Sequence, residues 1–95
     1  MPIVLRHSQT GEIAACLMRN VYDFEYYGAK FWQEEAEAER EKQQLLEAIG
    51  QPDPERWVPI YVDESRLKLF NVKLNNDPNR RLYMNGEGKL TVERR

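Results

Sequence analysis

Apolar and polar residues along this chain change their rhythm several times, and each change marks a structural element. Ile3 to His7 and Ile13 to Met18 are short apolar-rich runs separated by Ser8-Gln9-Thr10-Gly11-Glu12, a polar stretch whose glycine accepts positive φ. This spacing predicts a β-hairpin. Beyond Arg19-Asn20, Tyr22, Phe24 and Tyr26 alternate with Asp23 and Glu25, the period of two expected of a strand with one buried face. The alternative is a loop whose aromatics fold back over the core.

Gly28 interrupts that alternation, and from Ala29 to Ile49 the chain is built of good helix formers, with no Gly, Pro or β-branched residue before Ile49. A single long helix of about 20 residues is predicted, roughly 30 Å in length. Gly50 suits the left-handed position after the last turn, and Pro52 and Pro54 prevent continuation. Glu34, Glu35, Glu37, Glu39 and Glu41 crowd the first half, where the earliest of them favour the positive end of the helix dipole. Phe31, Ala38 and Leu45 recur at a spacing of seven and share one face, with Ile49 a turn further on. That face is expected to lie on a sheet.

Trp57 to Val62 is β-rich, and Pro59 places it at a sheet edge or a bulge. Arg66 to Leu74 fits two periods. Leu67, Leu69, Val72 and Leu74 alternate as in a strand, which is the preferred reading, while Leu67, Phe70 and Leu74 also satisfy helical spacing behind a cap at Asp63 or Ser65. Asn75-Asn76-Asp77-Pro78-Asn79 is a dense loop signal, and Arg81 to Asn85 and Lys89 to Glu93 form a hairpin around Gly86-Glu87-Gly88. The expected fold is α+β, with the order β-β-α-β-β-β-β and the helix packed on a largely antiparallel sheet, residues 66–74 keeping their helical alternative.

A chain of 95 residues has room for one hydrophobic core, so residues 1–95 are expected to form a single domain. Its composition, 41% hydrophobic and 32% charged with a formal charge of −2, fits a folded globule better than a disordered tail. No stretch approaches the length of a membrane span, and the basic-then-apolar layout of a signal peptide is missing from Met1 to His7. With the lone Cys16, which has no disulfide partner within the chain, this leads to an expectation of cytoplasmic residence. The modest net charge hides an asymmetry. Residues 1–63 hold six Lys or Arg against twelve Asp or Glu, and residues 64–95 hold eight against four. Such polarity favours charge-steered association with a partner or with another copy.

Residues that bear chemistry are few. His7 is the only histidine and has no neighbouring Cys or His for a metal site of familiar type. Cys16 sits among Ala14, Ala15, Leu17 and Met18, apolar company that makes a thiol inert. Asp23 and Glu25 could form a carboxylate pair among aromatics, although their alternation with Tyr22, Phe24 and Tyr26 turns them towards water. Gly86 to Gly88 is a hairpin turn and lacks the following helix of a phosphate loop. No catalytic residue, cofactor site or metal site is assigned.

Six of the ten aromatic residues fall between Tyr22 and Trp32. They suit a core cluster, a protein-binding surface or, least well among acidic neighbours, a platform for stacked bases. The resulting expectation is a non-enzymatic interaction or regulatory domain that binds another protein and can form a homo-oligomer. Its candidate contacts are Tyr26, Tyr27, Trp32, Glu35 and Glu39, with Arg80 and Arg81 as a complementary basic patch. Two alternatives stand beside it. One is a nucleic-acid-binding sheet in which Arg81 and Tyr83, or Lys68 and Phe70, share a face; the other is a small enzyme using Asp23, Glu25 or His7.

Overall fold

The strand β1 (Ile3–His7) is buried on both faces, and the rest of the chain is arranged around it in a computed structural model that describes residues 1–95. Ile3 and Leu5 point to one side, into a cluster with Ala14, Trp32, Ala38, Leu46 and Trp57. Val4 points to the other, among Ile13, Ala29, Phe70, Leu74 and Leu82. The period of two in a strand therefore divides the core into two halves. One helix covers each: α1 (Glu35–Ala48) the first, and α2 (Glu64–Leu74) the second.

Six strands, all paired antiparallel, complete the α+β fold. β1 pairs with β4 (Trp57–Tyr61), β2 (Ala15–Arg19) with β3 (Glu25–Ala29), and β5 (Arg80–Met84) with β6 (Leu90–Arg94). Short bridges stitch these three ladders together: Ile3 with Trp32, Arg6 with Ile13, and Glu12 with Tyr83. Pro59 of β4 sits opposite Leu5, and β4 lies at an edge, as the proline requires. The C-terminal hairpin forms as its turn residues indicate.

The long helix is shorter than its composition suggests. It begins at Glu35 because Lys30 to Trp32 is held extended: Ile3 and Trp32 exchange main-chain hydrogen bonds at 2.8 and 3.0 Å, and the Lys30 N–H reaches the Ala14 carbonyl at 3.0 Å. Tertiary pairing overrides helix propensity there. Phe31 and Trp32 accordingly lie ahead of the helix, and its buried positions are Ala38 and Leu46, with Leu45 and Ile49 partly covered. Gly50 takes the left-handed conformation and stops it, as expected.

Residues 66–74 adopt the helical alternative rather than the preferred strand. Asp63 caps the first turn, its Oδ1 accepting the Arg66 N–H at 2.6 Å, and Asn75 closes the last in the left-handed region with φ 53°. Leu67, Phe70 and Leu74 are the buried stripe, whereas Leu69 and Val72, which the alternation would have buried, face out. Lys68 and Phe70 consequently point in different directions.

Candidate functional site

The β2–β3 hairpin forms an arm whose tip, residues 20–24, displays large apolar side chains. Val21 is 93% exposed, Tyr22 77% and Phe24 69%. The sequence alternation placed Tyr22 and Phe24 on a strand with a buried face, but β3 begins only at Glu25 and the two lie in the turn before it. The tip is tightly built. Asn20 Oδ1 accepts the N–H groups of Tyr22 at 2.9 Å and Phe24 at 3.1 Å, while Asn20 N–H donates to the Phe24 carbonyl and Asp23 N–H to the Asn20 carbonyl, both at 3.0 Å. Asp23 adopts φ 64°, a conformation that aspartate tolerates better than most residues. Arg19 braces the turn, donating to the Asp23 carboxylate and to the Glu25 carboxylate, each at 3.2 Å. Asp23 and Glu25 thus neutralise a guanidinium at the surface.

A groove of about 520 Å³ runs under the arm, between β2, β3 and the second half of α1. Met18, Tyr26, Phe31 and Leu45 give it apolar walls, and Lys30 and Glu41 are among its charged groups. Trp32 forms part of its base, donating from Nε1 to Glu41 at 3.3 Å with the Lys30 ammonium 5.3 Å from the ring centre. Cys16 also lines the groove. Burial raises its thiol pKa, with Lys30 pulling in the opposite direction, so the thiol stays protonated and poorly nucleophilic.

The predicted contact residues are dispersed. Tyr27, at 7% exposure, and Trp32, at 4%, belong to the core, and neither offers a free surface; Tyr26 is half-buried in the groove wall. Glu35 faces β4, where its carboxylate accepts the Tyr61 hydroxyl at 2.8 Å and holds that hydroxyl above its usual pKa. Glu39 is exposed on α1. Arg80 donates to the Lys73 carbonyl at 3.0 Å and lies 3.7 Å from Asp77, and Arg81 is half-buried beside Glu12 with its Nε unpartnered. Glu35 is thus engaged with β4, and Arg80 with the end of α2 and the loop that follows it. Tyr22 and Phe24, inside the aromatic-rich segment but assigned there to a half-buried strand, are the exposed members. The signal available was Asn20, an Asx residue able to cap a turn just ahead of them.

The remaining chemistry-bearing groups do not converge. His7 is buried at the end of β1, its Nδ1 accepting N–H groups from Gln9 at 3.2 Å and Thr10 at 3.1 Å, and its ring edge-on to Trp57 with centroids 5.2 Å apart. It holds the turn after β1. Asp23 and Glu25 lie on the arm, and neither lines a groove. No group of three or more His, Cys, Asp or Glu is arranged to hold a metal ion, and no helix is long and apolar enough to cross a membrane. No protein-family model matches the chain, and comparison with curated proteins and with solved structures found no match.

Proposed function

We propose that this chain is a protein-interaction or regulatory module that captures a partner protein with the tip of the β2–β3 arm. The observation that carries this reading is the coexistence of rigid bracing and apolar exposure in residues 20–24. Exposing Val21, Tyr22 and Phe24 contributes nothing to the fold, yet Asn20 and Arg19 hold the loop that presents them. A loop held in one conformation loses little entropy on binding, and Tyr and Phe supply much contact area with few rotatable bonds. The groove beside α1 would receive the partner's own apolar side chains, with Lys30, Arg19 and Glu41 setting polarity at its rim.

The nucleic-acid reading has less support. Arg66 donates to the Gly88 carbonyl at 2.7 Å, Arg80 is tied to Lys73 and Asp77, and Arg94 lies 3.3 Å from Asp77, so part of the basic C-terminal set is engaged in holding the fold. Acid–base catalysis has less still, with His7, Asp23 and Glu25 on separate features.

Affinity capture from native lysate tests the proposal when the wild-type chain is compared with a Tyr22→Ser/Phe24→Ser variant of equal thermal stability. Proteins retained by the wild type and lost with the variant support it. A retained set that is identical for both removes it.

A further inference from the structure

An apolar knob and an apolar hollow lie side by side on the arm. Leu17, Val21, Tyr22 and Phe24, four of the nine large apolar side chains left exposed, fall within eight residues of sequence. Apolar exposure gathered in this way marks a contact surface, where scattered exposure would not. The groove under the arm adjoins the tip, since it is lined by Met18 and Arg19, just before residues 20–24, and by Tyr26, just beyond. A second groove, of about 600 Å³, shares Cys16, Leu17, Leu45 and Ala48 with the first and continues it to Ile49, Pro78 and Arg95. The two make one apolar tract between β2 and the second half of α1. Charge differs between knob and hollow. The tip holds two carboxylates, Asp23 and Glu25, against the Arg19 guanidinium that binds them both. The tract holds two cations, Lys30 and Arg95, against Glu41. Neither Lys30 nor Arg95 forms a salt bridge, and Glu41 is taken up by Trp32 Nε1.

We infer that the partner taken up by the tip is a second copy of this chain, the tip of each copy seating Tyr22 and Phe24 in the apolar tract of the other about a two-fold axis between tip and groove. This rests on the reading of the tip as a capture device and names what it captures. A foreign partner would have to supply both a hollow for the tip and a knob for the tract, whereas a second copy supplies both. Adjacency makes the arrangement close. A two-fold axis between a knob and its neighbouring hollow brings each knob onto the other copy's hollow, so both contacts form at once. Knob and hollow on opposite faces would build open chains instead. The exposed rings gain the walls formed by Leu17, Phe31 and Leu45, and those walls are covered in return. Charge selects the same seating. A net negative tip meets a net positive tract, while tip against tip would bring four carboxylates together.

Sedimentation equilibrium tests this with two variants that damage opposite halves of the contact. One is Tyr22→Ser/Phe24→Ser in the tip. The other is Ala48→Glu, at an exposed helix position lining both grooves, where glutamate suits the helix, fills the tract and repels the tip. The wild type is expected to show a concentration-dependent dimer. Each variant alone, with an unchanged circular dichroism spectrum, should associate at least about tenfold more weakly, because both contacts of its dimer are damaged. An equimolar mixture should dimerise more strongly than either variant alone. In it the intact tip of Ala48→Glu enters the intact tract of Tyr22→Ser/Phe24→Ser, and one contact of the two is whole. A wild type monomeric into the high micromolar range overturns the inference, as does a dimer that survives either variant. A mixture no stronger than its components overturns it too. If the wild type is monomeric while Tyr22→Ser/Phe24→Ser still loses proteins from lysate, the tip captures a different protein, so failure here is separate from failure of capture by the tip.

Discussion

Asn71 accepts the main-chain N–H of Ala29 through its Oδ1 at 3.0 Å, tying the C-terminal half of α2 to the outer edge of β3. The same oxygen explains why residue 28 is glycine, because a Cβ there would lie 2.6 Å from it. One side chain thus satisfies a buried donor, blocks a strand edge and sets the closeness of helix and strand.

Asn71→Ala is predicted to cost about 1–3 kcal/mol by leaving the Ala29 N–H buried without an acceptor. Gly28→Ala should cost a similar amount, about 1–3 kcal/mol, through overpacking. The double variant should lose less than the two single losses combined, since Asn71→Ala removes the atom that the methyl group added by Gly28→Ala would strike. Urea denaturation of the four proteins measures this coupling.

The aromatic segment separates by energetics. Tyr27→Ala and Trp32→Ala remove buried rings and should destabilise by about 3–5 kcal/mol, as large core truncations do. Tyr22→Ala and Phe24→Ala should stay within about 0.5 kcal/mol of the wild type. Thermal melts of the four variants show the division, and a large loss at Tyr22 or Phe24 would place those rings in the core.

Glu12 gives the stability a pH dependence. Burial holds its carboxyl above the usual value, opposed by Arg81, then Arg95 and His7. The folded state keeps this proton to higher pH than the unfolded chain, so the favourable contribution is complete below the unfolded value and is lost as pH rises through the folded one. Glu12→Gln should therefore stabilise the protein at neutral pH, with the gain fading as the solution is made acidic. Urea midpoints at neutral and mildly acidic pH provide the comparison.

Asn20 organises the tip. Asn20→Ala should speed hydrogen exchange at the Tyr22 and Phe24 amides, which lose their acceptor, while leaving the buried β1 amides unaffected. Residue-resolved exchange by NMR distinguishes a braced loop from a loose one.

Much of this architecture is legible along the chain, for identifiable reasons. β1, β4 and the C-terminal hairpin announce themselves through local patterns that tertiary contacts merely complete, with Pro59 at an edge and Gly50 ending α1. The start of α1 was not readable, because Lys30 to Trp32 pair with Ala14 and Ile3, residues distant in sequence. Residues 66–74 satisfy both periods, and the choice was made by the Asp63 cap and by burial of Phe70. The candidate site was readable only as a region. Aromatic density pointed to residues 22–32, but which rings face solvent depends on where β3 begins, and the Asx turn at Asn20 delays it to Glu25.

Site-specific photo-crosslinking addresses the central claim most directly, with a benzophenone amino acid placed at Tyr22 or Phe24 and, as controls, at Val58 or Val72, which are also exposed. The chain carrying each probe is irradiated in native lysate and adducts are identified by mass. A partner-binding tip predicts one common protein adduct from positions 22 and 24, absent from positions 58 and 72. Adducts arising equally from all four positions, or only from the controls, would contradict it.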